Sequence, residues 1–248
     1  MEAPAISQGA PFPRCLAIVP AFQERDAIAH VIADIRAHAP VEIVVIDDGS
    51  GDGTAAEAVH AGARVITLPF NLGIGSAVQT GYMAAQEGNF DVAIQVDGDG
   101  QHPAAEITRL VDALAESGAD LAIGSRFLGE RRYRAPIGRR LGIALFARVV
   151  SLVCGIRVTD TTSGFRAGNR RAIALFAAAY PHDYPEVEAV IIAHRAGLRI
   201  VEIPVEMRVR QGGRSSITPL RSAYYMVKVL MAVAMQMLRR PVKLPDVP

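Results

Sequence analysis

The sequence predicts an α/β fold: a mostly parallel sheet flanked by helices, with an apolar helix at the C-terminal end. Three observations point to it. Short apolar runs alternate with stretches of helical apolar spacing, the connections are short, and acidic residues gather just after the apolar runs. In open parallel sheets, ligands bind beyond the carboxyl ends of the strands. The polar residues that follow each strand are therefore the place to look for chemistry.

The elements follow in order. Cys15–Pro20 (CLAIVP) is an apolar run stopped by proline and reads as a buried strand. Arg25–His38 puts Ile28, Val31, Ile32 and Ile35 at helical spacing. Glu42–Asp47 (EIVVID) is a second strand, Thr54–Ala61 a short helix and Arg64–Leu68 a third strand. Gly75–Glu87 reads as a helix, Phe90–Asp97 as a fourth strand, Ala104–Ser117 as a helix opened by Pro103, and Asp120–Gly124 as a fifth strand. Ile137–Gly155 is an amphipathic, arginine-bearing helix and Thr159–Arg166 a polar loop. Asn169–Ala179 and Glu186–Ala196 read as helices, the second ending at Gly197. Arg199–Val209 reads as a strand broken at Pro204, Gln211–Ser216 as a flexible basic loop, and Pro219–Arg240 as a long apolar helix.

Of the 248 residues, 50% are apolar and 21% charged, and the formal net charge is +1. That suits one sizeable domain, placed at 14–218, between a disordered lead-in (1–13) and the apolar helix (219–240) with its tail (241–248). Near-neutral charge removes the electrostatic footprint of a general nucleic-acid binder. Cys15 and Cys154 are the only cysteines, which excludes a disulfide scaffold and a cysteine-rich zinc site. Both read as buried apolar residues rather than nucleophiles. Neither a secretory signal nor an uncharged apolar run of about 18 residues is expected here. The expected location is cytoplasmic, with the C-terminal helix a candidate peripheral contact at the membrane face. Nothing sets the oligomeric state, which leaves a homo-oligomer open.

Val96–Pro103 (VDGDGQHP) carries the strongest local signal. Read as an extended strand end, Asp97 and Asp99 face the same way about 7 Å apart. Such a pair suits a hard divalent cation, Mg²⁺ or Mn²⁺, shared with a diphosphate. Gln101 continues the parity and His102 adjoins it. A solvated acidic turn is the competing reading. Asp47 and Asp48 close the second strand, where one carboxylate can brace a loop while the other accepts from a nucleobase or ribose. Helix capping before Thr54 accounts for Asp52 but not for paired acids. After the first strand, Phe22 is placed to cover a base and Glu24 to bind a ribose hydroxyl, although alone this stretch is an ordinary turn. Gly73-Ile74-Gly75 lacks the third glycine of a dinucleotide fingerprint, and the histidines show no zinc spacing.

Together these pieces resemble the family 2 glycosyltransferases of the GT-A, nucleotide-diphospho-sugar-binding, Rossmann-like fold. The polyprenyl-phosphate (dolichol-phosphate) mannosyltransferase branch is the nearest likeness. The segments are VPAFQE at 19–24, VIDDGSGDGT at 45–54, NLGIGSAVQTG at 71–81, VDGDGQHP at 96–103, GSRF at 124–127, TSGFR at 162–166 and RQGGRSS at 210–216. The ordered set runs from about Leu16 to Arg240 and is far more specific than any one piece.

The resemblance implies residue roles. Pro20, Phe22, Glu24 and Asp48 would hold the donor's base and ribose, and Asn71, Gly73 and Gly75 a loop that lets backbone approach it. Asp97, Asp99 and Gln101 would bind the metal and the donor phosphates, with Asp99 also counted as catalytic. Ser125 and Arg126 would lie near the transferred sugar, with Arg126 also counted as catalytic, and Ser163 near the diphosphate and acceptor. Arg210 and Arg214 would close over the phosphates with a geometry that suits Arg better than Lys. Glu186 matches the position of a catalytic acid by its spacing to Gly197, with Glu188 a competitor; an acidic first helical turn is the plain alternative for both. Two departures stand out: Gln23 occupies a usual asparagine position, and Ser215-Ser216 replaces the Ser-Lys common in this branch.

The implied reaction is a single displacement with inversion, from a UDP- or GDP-sugar to a polyprenyl phosphate or a cell-envelope glycan or glycolipid. A hydroxyl acceptor needs a base such as Glu186, whereas a lipid phosphate is already ionised. Nucleotidyl transfer to make a sugar nucleotide is a different reading, and a non-catalytic nucleotide-sugar-binding subunit a third. Against nucleotidyl transfer, the first β–α loop is PAFQER rather than a glycine-rich basic loop.

Overall fold

The structure is a computed structural model that describes residues 12–128, 137–208, 219–239, 241–242 and 244. Its elements are β1 (Cys15–Ala21), α1 (Arg25–His38), β2 (Glu42–Asp47), α2 (Thr54–His60), β3 (Arg64–Thr67), α3 (Ile74–Glu87), β4 (Val92–Gln95), α4 (Ile107–Ser117) and β5 (Leu121–Ser125). They continue with α5 (Ile137–Cys154), β6 (Arg166–Asn169), α6 (Arg170–Ala178), α7 (Pro185–Arg195), β7 (Ile200–Pro204) and α8 (Pro219–Leu238).

The strands form one seven-stranded sheet in the order β3-β2-β1-β4-β6-β5-β7. Alternate residues of β1 separate the two faces. Leu16 and Ile18 join a core built with α3, α5, α6, α7 and α8, while Cys15, Ala17 and Val19 join a core with α1 and α4. This is the period-two signature of a strand buried on both sides.

Six strands run in parallel, and β6 alone is antiparallel to its neighbours β4 and β5. The sequence reading placed Thr159–Arg166 in a loop and began a helix at Asn169, so it missed this strand. Its four residues, Arg-Ala-Gly-Asn, contain no β-branched or aromatic side chain. The reversal decides where the site lies. A strand that runs backwards begins at the edge where its neighbours end, so the polar segment before Arg166 is delivered to the carboxyl edge of β4 and β5. In register, Arg166 stands between Gln95 of β4 and Ile123 of β5.

Two other expectations need correction. The helix read as Ala104–Ser117 opens with a 3₁₀ turn at Ala104–Glu106 and is α-helical only from Ile107. β4 stops at Gln95 rather than Asp97. The reason is a diverted donor: the Asp97 N–H is bonded to His102 Nδ1 at 2.9 Å and not to a neighbouring strand. The chain then turns through Gly98 and Asp99, with Gly100 at φ +76°. Asp97 and Asp99 therefore do not share an extended strand, and the i, i+2 geometry does not apply to them.

Candidate active site

The loops after β1 and β2 are tied together. Asp48 N–H donates to Ala21 O (2.9 Å), Gln23 N–H to Ser50 Oγ (2.9 Å) and Glu24 N–H to Thr54 Oγ1 (3.0 Å). Pro20 is buried in β1 and Glu24 caps α1, while Phe22 stands 41% exposed at the rim. Gln23 adopts φ +55°, in the left-handed region that asparagine tolerates better than glutamine. Gln23→Asn should therefore raise stability by about 0.5–1 kcal/mol, measured by denaturant unfolding.

Asp48 is the brace of the two strand-end acids. Its Oδ1 accepts from Leu72 N–H (2.8 Å) and its Oδ2 from Gly73 N–H (2.9 Å), which fixes the Asn71–Gly73 loop ahead of α3. Asn71 Oδ1 adds a bond to the same Gly73 N–H at 3.1 Å. Both Asp48 oxygens are thus engaged with backbone, and Asp47 Oδ2 is the buried oxygen without a partner. Gly49 (φ +71°) lets this loop close: a Cβ there would lie 2.6 Å from Phe70 C. Gly75 is pressed against the backbone of Pro181 and His182, and Ser76 Oγ meets His182 Nδ1 at 3.2 Å. The start of α3 thereby touches the segment that leads into α7.

Asp97 projects from the end of β4. Its neighbour His102 accepts the Asp97 N–H on Nδ1, so its proton sits on Nε2, 3.5 Å from Asp97 Oδ2. His102 is buried and stacked on Phe165 with 4.9 Å between ring centroids. Asp99 Oδ1 accepts from Gln101 N–H (3.0 Å), and its Oδ2 accepts from Gln101 Nε2. This loop is held from behind by Asp34 of α1, which accepts from Ala104 N–H (3.3 Å) and Arg208 Nη1 (2.8 Å). Arg208 N–H in turn donates to Gln101 O at 2.9 Å. The sequence reading gave Asp34 no role and left His102 a bystander; a single acid on a helix and a single histidine carry no motif.

Past β5, Ser125 Oγ and Thr159 Oγ1 are 2.7 Å apart, and Arg126 forms a buried bidentate pair with Asp160 (both bonds 2.7 Å). Arg126 Nη2 also donates to Thr162 Oγ1 at 2.6 Å. Glu202 of β7 holds the same loop, accepting from Asp160 N–H (2.9 Å) and Thr159 N–H (2.7 Å). Burial pushes the Glu202 carboxyl above the usual carboxylate range, against those hydrogen bonds. Ser163 is buried, and its hydroxyl accepts from Phe165 N–H at 3.3 Å.

The two candidate acids of α7 part company. Glu188 is buried and accepts from Gln236 Nε2 of α8 at 2.6 Å, so it anchors that helix. Glu186 is half-buried beside the strand ends. Burial raises its carboxyl above the usual range; its own N–H, Arg166 and Arg126 oppose that rise, and Asp97 adds to it. Glu186, Asp97, Arg126 and Arg166 thus share one electrostatic neighbourhood. Burial also pushes the thiols of Cys15 and Cys154 up to about 12 and about 11, consistent with inert core residues. Arg210 and Arg214 lie outside the described residues.

The family model described as glycosyl transferase family 2 matches residues 16–176. The chain belongs to this family. It is 31% identical over 230 residues to the polyprenol monophosphomannose synthase of Mycolicibacterium smegmatis, covering 88% of this chain and 86% of that one. It is 29% identical over 215 residues to the undecaprenyl-phosphate mannosyltransferase of Micrococcus luteus, covering 83% and 88%. A solved structure of glucosyl-3-phosphoglycerate synthase from Mycobacterium tuberculosis with Mn²⁺, UDP and glucosyl-3-phosphoglycerate superposes with a TM-score of 0.68. That match has 22% identity and covers 94% of this chain and 81% of the other. At that identity it speaks for the fold alone, which is the GT-A arrangement expected above. Family 2 membership sets the nucleotidyltransferase reading aside.

The oxygen donors fit a hard cation. Asp97 and Asp99 offer carboxylate oxygens, which suit Mg²⁺ or Mn²⁺, while Gln101 turns its amide nitrogen to Asp99 Oδ2 and keeps its carbonyl oxygen as the atom that would ligate. Gly164 forms the floor: a Cβ there would lie 3.1 Å from Asp97 Oδ1 and 3.3 Å from Oδ2. Among the described residues no group of three His, Cys, Asp or Glu side chains converges. A cation held by these two carboxylates would take most of its coordination sphere from phosphate oxygens and water.

Proposed function

We propose that this chain transfers a sugar from a nucleoside-diphosphate sugar to a polyprenyl phosphate, with inversion at the anomeric carbon. One observation carries the reading: Asp97 and Asp99 sit on a braced turn at the carboxyl edge of the sheet, in a family 2 chain whose relatives bear polyprenyl-phosphate names. A Mg²⁺ or Mn²⁺ ion would be held by Asp97, Asp99 and Gln101, and when bound it supplies charge stabilisation for the departing diphosphate. The residues do the remaining work. Asp48 fixes the 71–73 loop that faces the donor, and His102 and Gly164 fix the Asp97 carboxylate. The Arg126–Asp160 pair locks the strand end near the transferred sugar. Arg210 and Arg214 are proposed to bind the phosphates. The test is incubation with labelled UDP- and GDP-sugars and a polyprenyl phosphate in Mn²⁺. Labelled lipid is expected with one donor, and its absence with every donor overturns the reading.

A second acceptor class has one observation in its favour. Glu186, with its carboxyl raised by burial and set beside Asp97, has the character of a base for a hydroxyl acceptor such as a glycan.

The chain is also proposed to rest on a membrane surface through α8. Val227, Met231, Met235 and Leu238 form an exposed stripe at helical spacing, while Val229 and Val233 pack inward. Leu145 and Leu152 of α5, with Arg148 between them, are exposed as well. No helix of the described residues is long and apolar enough to cross a bilayer. The arrangement suits a helix lying in the interface. Removing the helix is a poor test, because Gln236 and the inward valines are part of the fold. Met231→Glu with Met235→Glu should instead weaken sedimentation with anionic vesicles by about tenfold or more. Unchanged sedimentation would overturn the contact.

A further inference from the structure

Arg166 is the largest fully buried side chain of the described residues. Its Nε donates to Ser163 O (2.8 Å), and its Nη2 donates to Glu186 O (2.5 Å) and Thr161 O (3.4 Å). Among the described residues no carboxylate lies within ion-pair distance of it, and Nη1 is buried without a partner. A buried cation held only by carbonyl oxygens is costly, so its retention needs a reason beyond stability.

The residues just before it supply one. Gly164 is the floor beneath Asp97, and any side chain there would strike Gln95 Nε2 (3.0 Å) and both carboxylate oxygens. Phe165 stacks on His102, which holds Asp97 from the other side. Gln95, the register partner of Arg166, donates to Asp97 Oδ1 (3.4 Å) and accepts from Tyr180 Oη (3.3 Å). Three consecutive residues therefore touch, in turn, the metal-side acid, the histidine that orients it, and the backbone of Glu186.

We propose that Gly164–Phe165–Arg166 is the gauge that spaces Asp97 from Glu186, and that Arg166 is the positioning residue for Glu186. The importance of that spacing rests on the second acceptor class of the proposed function, a hydroxyl for which Glu186 is the base. The gauge explains why β6 is reversed: only a strand that starts at the site edge presents its first residues to both acids. Among the described residues the charged or titratable groups around Glu186 are Arg166 from β6, Asp97 after β4, Arg126 after β5, and the Tyr180 phenol before α7. On its own helix Glu188 is turned to Gln236.

The test reads Glu186 directly. Protein labelled with ¹³C at glutamate carboxyls is titrated by NMR without donor, acceptor or metal, and the Glu186 signal is assigned by its loss in Glu186→Gln. Arg166→Met should raise the Glu186 midpoint by about one pH unit, since an opposing cation is lost. Arg166→Lys keeps the charge and should leave the midpoint near native, yet lower kcat toward a hydroxyl acceptor about tenfold, because an ammonium cannot span Ser163 O and Glu186 O together. Gly164→Ala should weaken Mn²⁺ binding in the presence of UDP about tenfold with the Glu186 midpoint unmoved. A folded Arg166→Met protein with an unmoved midpoint overturns the gauge. If that variant does not fold, native kcat toward a hydroxyl acceptor in Arg166→Lys overturns it. Failure of the base reading is separate: Glu186→Gln with undiminished transfer to a hydroxyl acceptor would sink it, while the titration, read without substrate, still stands.

Discussion

Replacing Asp97 and Asp99 together by Asn should lower turnover by about 10³-fold and abolish the thermal stabilisation that a nucleoside diphosphate gives in Mn²⁺. The substitution is nearly isosteric, so the loop that His102 and Gln101 hold should survive it. The Asp97 N–H bond to His102 and the Asp99 Oδ1 bond from Gln101 N–H need only backbone or a carbonyl oxygen, which Asn retains. What is lost is charge. A neutral pair cannot offset a hard cation beside a diphosphate, so both the ion and the phosphates bind less well. The readouts are initial rate with saturating donor and melting temperature with UDP or GDP, each with and without Mn²⁺. Native turnover in a folded double variant would remove the metal from the scheme.

Glu186→Gln is expected to split activity from stability. Transfer to a hydroxyl acceptor should fall by about 10²–10⁴-fold, the usual share of a general base. Transfer to a polyprenyl phosphate should stay within about threefold, because that nucleophile carries its charge already. Stability should move the other way. Burial raises the folded Glu186 carboxyl above its unfolded value. Its contribution is therefore fully present below the unfolded carboxylate range and lost as pH rises through the folded value, so at neutral pH the ionised group opposes folding. Gln removes that opposition. The melting temperature should rise by about 2–4 °C near pH 7, and the difference should vanish in acid. Melting curves across pH for both proteins check the sign. A lower melting temperature for the variant at pH 7 would mean that Arg166 and Arg126 outweigh burial.

Much of this arrangement is readable from sequence, and the exceptions have physical causes. The first half announces itself because β1, β2 and β4 are apolar runs buried along most of their length and α1 keeps one apolar stripe of Ile28, Val31, Ile32 and Ile35. β6 escaped because a strand shielded by two neighbours and two helix layers can be built from Ala and Gly, where packing rather than propensity decides. The extended Asp97–Asp99 pair failed for a different reason. Whether a strand continues depends on where its next N–H goes, and a side chain five residues on captured it. Glu186 and Glu188 are indistinguishable as letters two apart at a helix start. Only the partner on α8 separates them. The acid that braces the Asn71–Gly73 loop was anticipated in type but not in identity: of the pair at the end of β2, Asp48 reaches the Leu72 and Gly73 amides.

The placement of β6 between β4 and β5 also bears on how such an enzyme can be re-engineered. A hybrid joined between residues 128 and 159 would take β1–β5 from one parent and its later half from another. That later half must thread a foreign strand into the middle of the first parent's sheet, matching ladders on both edges at once. The later half is for that reason not a detachable cassette here: swapping it means recutting the interior of the protein, not trimming its rim.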